Sequence, residues 1–287
     1  MPRKRQPEGP PIKVLPEHEA QLSALNRAVV ADLRKFNEEI LKRYPSLIVE
    51  TRMDAKRTIR LRPVSEMIDG FRVQYAREFD RKESTITAFL DRLSGEMVAY
   101  NRRAWKTNLV DKVSEAGLSP AAQAFALAQE PDIPKSISTR WTDLQLQLVK
   151  RFGTARVPSI PAEHFQRLEA LVQSSVDSGL RVEELRKELA TLDGVSTRRA
   201  EVIARDQTGK YNGKMTEIRH EAIGVKAYFW RTTGDGRVRD EHKDYDGKRF
   251  LYSRPPKGGA PGIPVQCRCW ADPDFDAVFR EFERQAS

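Results

Sequence analysis

A chain of 287 residues, 39% hydrophobic and 32% charged with few aromatics, is long enough for one large or two ordinary domains. Its composition suits long, partly exposed helices better than a compact barrel. The formal net charge is +9, and residues 1–110 carry 22 Lys and Arg against 15 Asp and Glu, so the N-terminal part holds most of the excess, as expected near a polyanion or an acidic protein surface. Two cysteines exclude a disulfide scaffold and make a reducing cytoplasm the default. No apolar run approaches the ~18–20 residues of a membrane span, and the basic "MPRKRQPEGPP" lacks the apolar segment of a secretory signal.

Residues 1–16 contain five prolines and no apolar period, which predicts a mobile basic, Pro-rich arm. From Glu17, the residues Leu22, Leu25, Val29, Leu33, Phe36, Ile40 and Tyr44 recur at steps of three and four. They predict a long amphipathic helix that Pro45 stops. The basic stretch "TRMDAKRTIRLRP" follows as a loop or short helix. Its Arg52, Lys56, Arg57, Arg60 and Arg62 are either a solvated face or phosphate contacts to double-stranded DNA, without sequence specificity. Met67 to Phe79 mark a second helix and Ile86 to Tyr100 a third. Ser119 and Pro120 form an N-cap and first helical position, and residues 121–150 read as two helical pieces broken at "EPDIPKS".

The turn-rich "GTARVPSIP", residues 153–161, predicts a domain boundary. Beyond it, Phe165 to Val176 give a helix that Gly179 terminates, and Val182 to Leu192 another that ends near Gly194. Ser196 then caps a longer helix, through Ala200, Ala204, Tyr211 and Met215, that Gly224 stops. "KAYFWRTT" and "KRFLYS" read as two strands joined by a polar turn and followed by a Pro/Gly loop. The expected fold class is α+β: a mostly helical region 17–152, then a unit 153–287 of helices closed by a small strand-and-loop cap.

The cap carries the residues with chemistry. Read on their own, Asp235, Arg237, Arg239, His242, Asp244 and Asp246 sit in a turn-rich stretch where "TTGDG" and Asp246-Gly247 need positive φ. Asp side chains there cap their own backbone, and Arg–Asp pairs fix the loop. A second reading is a metal site: His242 with Cys267 and Cys269 offers imidazole and thiolate donors suited to Zn²⁺, with Asp235 as a fourth ligand. In an extended C-x-C the two side chains lie about 7 Å apart, so a chelate needs a bent backbone beside "PGIP". A third reading takes the thiols as small buried hydrophobes at a packing corner. A fourth is catalytic: His242 as general base, Asp235 or Asp246 orienting it, and Arg237 with Arg239 on a phosphate, as in a nuclease. Arg205 and Asp206 need partners on an apolar helix face, and Arg205 is expected to reach the 235–242 turn. His18, His164 and His220 fall in helical stretches and are expected to face solvent or to cap.

Taken in order and spacing, several of these pieces resemble one family. They are "SIPAEHF", "RRAEVIARDQTGKYN", Gly224, the strand ending in Trp230, Asp235-x-Arg237-x-Arg239-x-x-His242, Asp246-Gly247, "PPKGGAPG" and Cys267-Arg268-Cys269. From about Ser159 to Pro273 the chain is similar to the phage Mu F-like head morphogenesis proteins, or minor head proteins. The motif residues Arg205, Asp235, Arg237, Arg239, His242, Asp246 and Gly247 are shared with that pattern. The chain departs from it at "RDQT", where relatives often carry an acidic residue in an Arg-Thr-Glu type motif. The resemblance implies a non-enzymatic, low-copy component of a tailed-phage head, made in the host cytoplasm and incorporated near the portal. It would act in assembly, packaging or ejection by binding portal, capsid or scaffold protein and packaged DNA, away from any membrane.

Overall fold

A computed structural model describes residues 13–57, 63–150 and 159–286. Within them run α1 (Pro16–Arg57), α2 (Pro63–Glu115), α3 (Pro120–Ala128), α4 (Lys135–Val149), α5 (Ile160–Ser178) and α6 (Val182–Ala222). Then come β1 (Ala227–Arg231), α7 (Asp240–Tyr245), β2 (Arg249–Leu251), β3 (Trp270–Pro273) and α8 (Asp276–Ala286). The protein is α+β and mostly helical, and its described residues hold one small antiparallel sheet near the C-terminal end. Most of the arm, Arg60 and Arg62, and residues 153–158 of the expected boundary lie outside the described residues.

Several helices are longer than the sequence pattern predicts. α1 continues through Pro45, because Tyr44 and Leu47 are fully buried on either side of it. Burying two such side chains contributes roughly 1.5–3 kcal/mol each, which offsets the ~3 kcal/mol of an interior proline. Residues 80–85, between the second and third expected helices, form a mostly exposed stretch of the single helix α2. Lys82 pairs there with Asp32 at 2.7 Å, and Lys150 with Glu83. Gly194 does not end a helix either: it is an exposed position inside α6. Ser196 is no cap but a buried mid-helix residue whose hydroxyl meets His164 Nδ1 at 3.0 Å. Ser119 caps α3 as expected by accepting from Ala122 N, Gly179 closes α5 at φ 66, and Gly224 at φ 87 follows α6; Ser159, which the sequence did not single out as a cap, starts α5 by accepting from Ala162 N.

The chain divides into two compact units, and neither is continuous in sequence. One comprises residues 20–92 and 139–204, the other residues 1–19, 93–138 and 205–287. Among the described residues the first contains helices and no strand. Its core stacks Phe36 on Phe71, with centroids 4.8 Å apart, and sets Phe165 against Phe36 and Tyr75. Tyr75 donates to the Val149 carbonyl at 2.9 Å, and Asn37 donates to both carboxylate oxygens of Asp193.

The second unit holds the sheet. β1 is its central strand, antiparallel to β2 and β3, with Phe229 opposite Arg249 on one side and Asp272 on the other. Tyr228 and Trp230 of β1 are fully buried with Trp105, Leu109, Tyr252 and Phe275. Phe282 of α8 meets Phe125 of α3 edge-on at 5.3 Å. Asp272, 1% exposed, lies between Lys112 Nζ and Arg231 NH2, each 3.0 Å away, so three buried charges lock α2 to the sheet.

Candidate functional site

The site is assembled where α6, the β1–β2 connection and the loop before β3 meet in the second unit. α6 approaches through two glycines one turn apart. A Cβ on Gly213 would fall 2.9 Å from the Pro261 carbonyl oxygen, and one on Gly209 would sit 3.6 Å from that of Cys267. The helix backbone is thus laid against the "PGIPVQC" loop, a closeness that needs the spacing Gly-x-x-x-Gly on one helical face. Asp206, one turn earlier, fixes the loop by accepting from Gln266 N at 3.1 Å, while its other oxygen takes Lys210 at 2.6 Å. Arg205 Nε donates to Glu19 at 2.9 Å, so the hydrogen-bonded tie from helix to cap comes from Asp206 and not, as expected, from Arg205 to the 235–242 turn.

The loop bends sharply before the cysteines. Gln266 adopts φ 55, and Cys267 N donates back to the Pro264 carbonyl. This turns the two thiols toward one ring. His242 Nδ1 lies 3.7 Å from Cys267 Sγ and 3.6 Å from Cys269 Sγ. Neither cysteine is in a disulfide. α7, a helical turn where the sequence suggests only a polar connection, presents the imidazole. Its ring packs edge-on to Trp230, with centroids 5.0 Å apart, and is 5% exposed.

The Cys267 thiol is pulled below its usual range, first by the S–H it accepts from Cys269, against burial, with backbone N–H groups and His242 adding to the effect. Cys269 is raised for the complementary reason. The buried indole N–H of Trp230 makes no hydrogen bond of normal geometry among the described residues, but its dipole acts on the Cys269 sulfur in favour of the thiolate.

The acidic residues are engaged elsewhere. Asp235 Oδ1 accepts from Arg237 N at 3.0 Å and from Arg268 at 2.8 Å, and Asp235 does not join the thiol–imidazole cluster as a fourth ligand. Burial pushes its carboxyl up, but the Arg237 N–H and the Arg268 guanidinium outweigh that and hold it below the usual range. Asp246 Oδ1 accepts from Thr232 N at 2.8 Å, and Gly247, at φ 72, donates to the Trp230 carbonyl. Arg239 donates to the Val265 carbonyl at 2.7 Å, joining the two loops, and Asp244 lies exposed on α7. A pocket of about 210 Å³ opens over the cluster. Arg205, Arg237, Arg239 and Arg268 line it together with His242, Cys267 and Cys269.

The other three histidines are buried rather than solvent-facing. His18 packs edge-on to Tyr100, His164 meets Ser196, and His220 Nδ1 meets the Tyr252 hydroxyl at 2.6 Å. Of the basic stretch, Arg52, Lys56 and Arg57 belong to the last turns of α1. The sequence reading missed Gly209 and Gly213 as supports of the site, and it named Asp206 and Trp230 without giving them that part. The four-residue glycine spacing beside an acidic residue was the available signal.

Residues 166–271 match the family model described as "Phage Mu protein F like protein", which supports a phage Mu F-like protein. That segment spans α6, the sheet up to β3 and the whole thiol–imidazole cluster. The chain is also similar to a protein of Haemophilus influenzae (strain Rd) named only "Uncharacterized protein". The two are 31% identical over 179 residues, which cover 62% of this chain and 37% of the relative. The chain therefore spans little more than a third of that relative's length. No solved structure matches it.

Proposed function

We propose that this phage Mu F-like protein is a minor head protein of a tailed phage, held inside the head near the portal, and that it works by binding rather than by turnover. The observation that carries the reading is the family match across 166–271, which takes in all of α6, the sheet up to β3 and the whole thiol–imidazole cluster. The geometry of the acidic groups supports binding over hydrolysis. A nuclease built on His242 needs a carboxylate orienting the ring, whereas Asp235 and Asp246 are committed to backbone N–H groups and an arginine, and the ring faces two sulfurs. Among the described residues no helix is long and apolar enough to cross a membrane.

Partners on this reading are the portal, capsid or scaffold protein and packaged double-stranded DNA. DNA contact falls to the basic stretch Arg52, Lys56, Arg57, Arg60 and Arg62, supported by the charge excess of residues 1–110. Quantitative mass spectrometry of purified particles tests the assignment. A few copies per head, co-purifying with the portal ring, are expected, and absence from intact particles would overturn it. For DNA, the affinity of the full chain for random duplex should fall steeply with salt. Replacing all five basic residues by Gln should flatten that slope, and an unchanged slope would remove them from the interface.

A further inference from the structure

The thiol–imidazole cluster has the dimensions of a coordination sphere. A tetrahedral Zn²⁺ with bonds of about 2.3 Å to sulfur and about 2.05 Å to nitrogen holds a sulfur and a nitrogen about 3.6 Å apart. The two sulfurs lie 3.7 and 3.6 Å from His242 Nδ1, and all three candidate ligand atoms fall within 4.8 Å of one another. Hydrogen bonding alone explains this poorly. A neutral ring nitrogen has one lone pair or one proton, so it pairs well with one sulfur, yet here two stand at nearly equal distance. A central ion satisfies both sulfurs and the nitrogen at once.

We propose that Cys267, Cys269 and His242 bind one Zn²⁺ through Sγ, Sγ and Nδ1, leaving the fourth position to solvent in the arginine-lined pocket. Both cysteines ligate as thiolates, their protons passing to solvent, and two thiolates neutralise the ion. That neutrality lets the metal sit beside Arg205, Arg237, Arg239 and Arg268, which would repel an uncompensated dication. The ligands are preorganised. The cysteine loop is pinned to α6 by the Asp206–Gln266 bond and by the close approach at Gly213, and the imidazole is wedged against Trp230 and Tyr245. Such outer contacts fix ligand orientation in metal sites. The site is independent of the head-protein reading: a zinc ion here would brace the cap whatever the chain binds.

The test uses the full-length chain, reduced and stripped with a chelator, then titrated with Co²⁺ and back-titrated with Zn²⁺. A thiolate-to-cobalt charge-transfer band and the intense visible bands of a four-coordinate ion are expected. They should saturate at about one equivalent and disappear as Zn²⁺ displaces Co²⁺. Zinc should also protect both thiols from alkylation. A Cys267→Ser/Cys269→Ser double variant should give no charge-transfer band, whereas Arg237→Ala should keep it. Because the wild-type titration stands alone, a misfolded double variant does not blur the outcome. The proposal is overturned if the folded wild-type chain shows no such band in excess cobalt, or if a folded double variant retains it.

Discussion

Replacing Gly213 by alanine sets helix propensity against a steric contact, and the structure decides which wins. In an open helix interior, Gly→Ala contributes about 0.5–1 kcal/mol of stability by reducing the freedom of the unfolded chain and favouring the helical backbone. At Gly213 the added methyl would lie 2.9 Å from the Pro261 carbonyl oxygen and 3.6 Å from Gly262 Cα, both backbone atoms. Relieving that overlap needs a shift of roughly 0.5 Å by a loop that Asp206 holds at Gln266 N. Overpacking of this kind costs about 1–3 kcal/mol, so Gly213→Ala should be net destabilising by about 0.5–2 kcal/mol. Gly95, exposed in α2 of the same unit, has nothing within 4 Å of the equivalent position, so Gly95→Ala should stabilise by about 0.5–1 kcal/mol. Urea unfolding of the full chain, with unchanged m-values, gives both numbers. Thiol alkylation should quicken in Gly213→Ala because the displaced loop carries Cys267. If both variants gained stability equally, the loop would not rest on the helix, and the clasp described above would be wrong.

Other perturbations follow from the buried charges and the caps. Asp272→Asn leaves Lys112 and Arg231 without their shared counter-charge and should cost about 3–5 kcal/mol in urea unfolding, while Asp240→Asn, at an exposed pair, should change nothing measurable. Burial lowers His164 to about 4 and His220 to about 3, below the unfolded value of 6.5. Their contribution is therefore complete above the unfolded value and is lost as pH falls from about 6.5 toward about 4 and 3. Each adds a slope of up to ~1.4 kcal/mol per pH unit. His164→Gln should flatten part of that decline, and an unchanged profile would mean the ring is already charged or exposed. Ser159→Ala should cost about 1 kcal/mol by leaving Ala162 N uncapped, measured the same way.

The architecture was largely legible because most helices carry their core on one stripe and end at residues with a mechanical reason to end them, such as Gly179 and Gly224. The misreadings share a cause. Pro45, the polar run before Ile86 and Gly194 are local breakers that tertiary burial of Tyr44, Leu90 or Leu192 overrides, so one helix was read as two or stopped early. β3, only four residues with an aspartate and a proline, has no periodicity to detect and exists because β1 is beside it. α8 declares itself through Val278 and Phe282, four residues apart, yet is short enough to pass as a tail. At the site, residue types pointed to thiols and an imidazole acting together, but C-x-C spacing alone leaves the sulfurs apart. What joins them is the turn at Gln266, and nothing in a glutamine announces a left-handed conformation.

The sheet has only three strands, and its two outer members are three and four residues long. Short rims of this kind give a passing extended segment few exposed amides to pair with, and Pro273, at the end of one of them, has no N–H to offer. A protein with this sheet can be crowded against copies of itself with little risk of strand-to-strand aggregation.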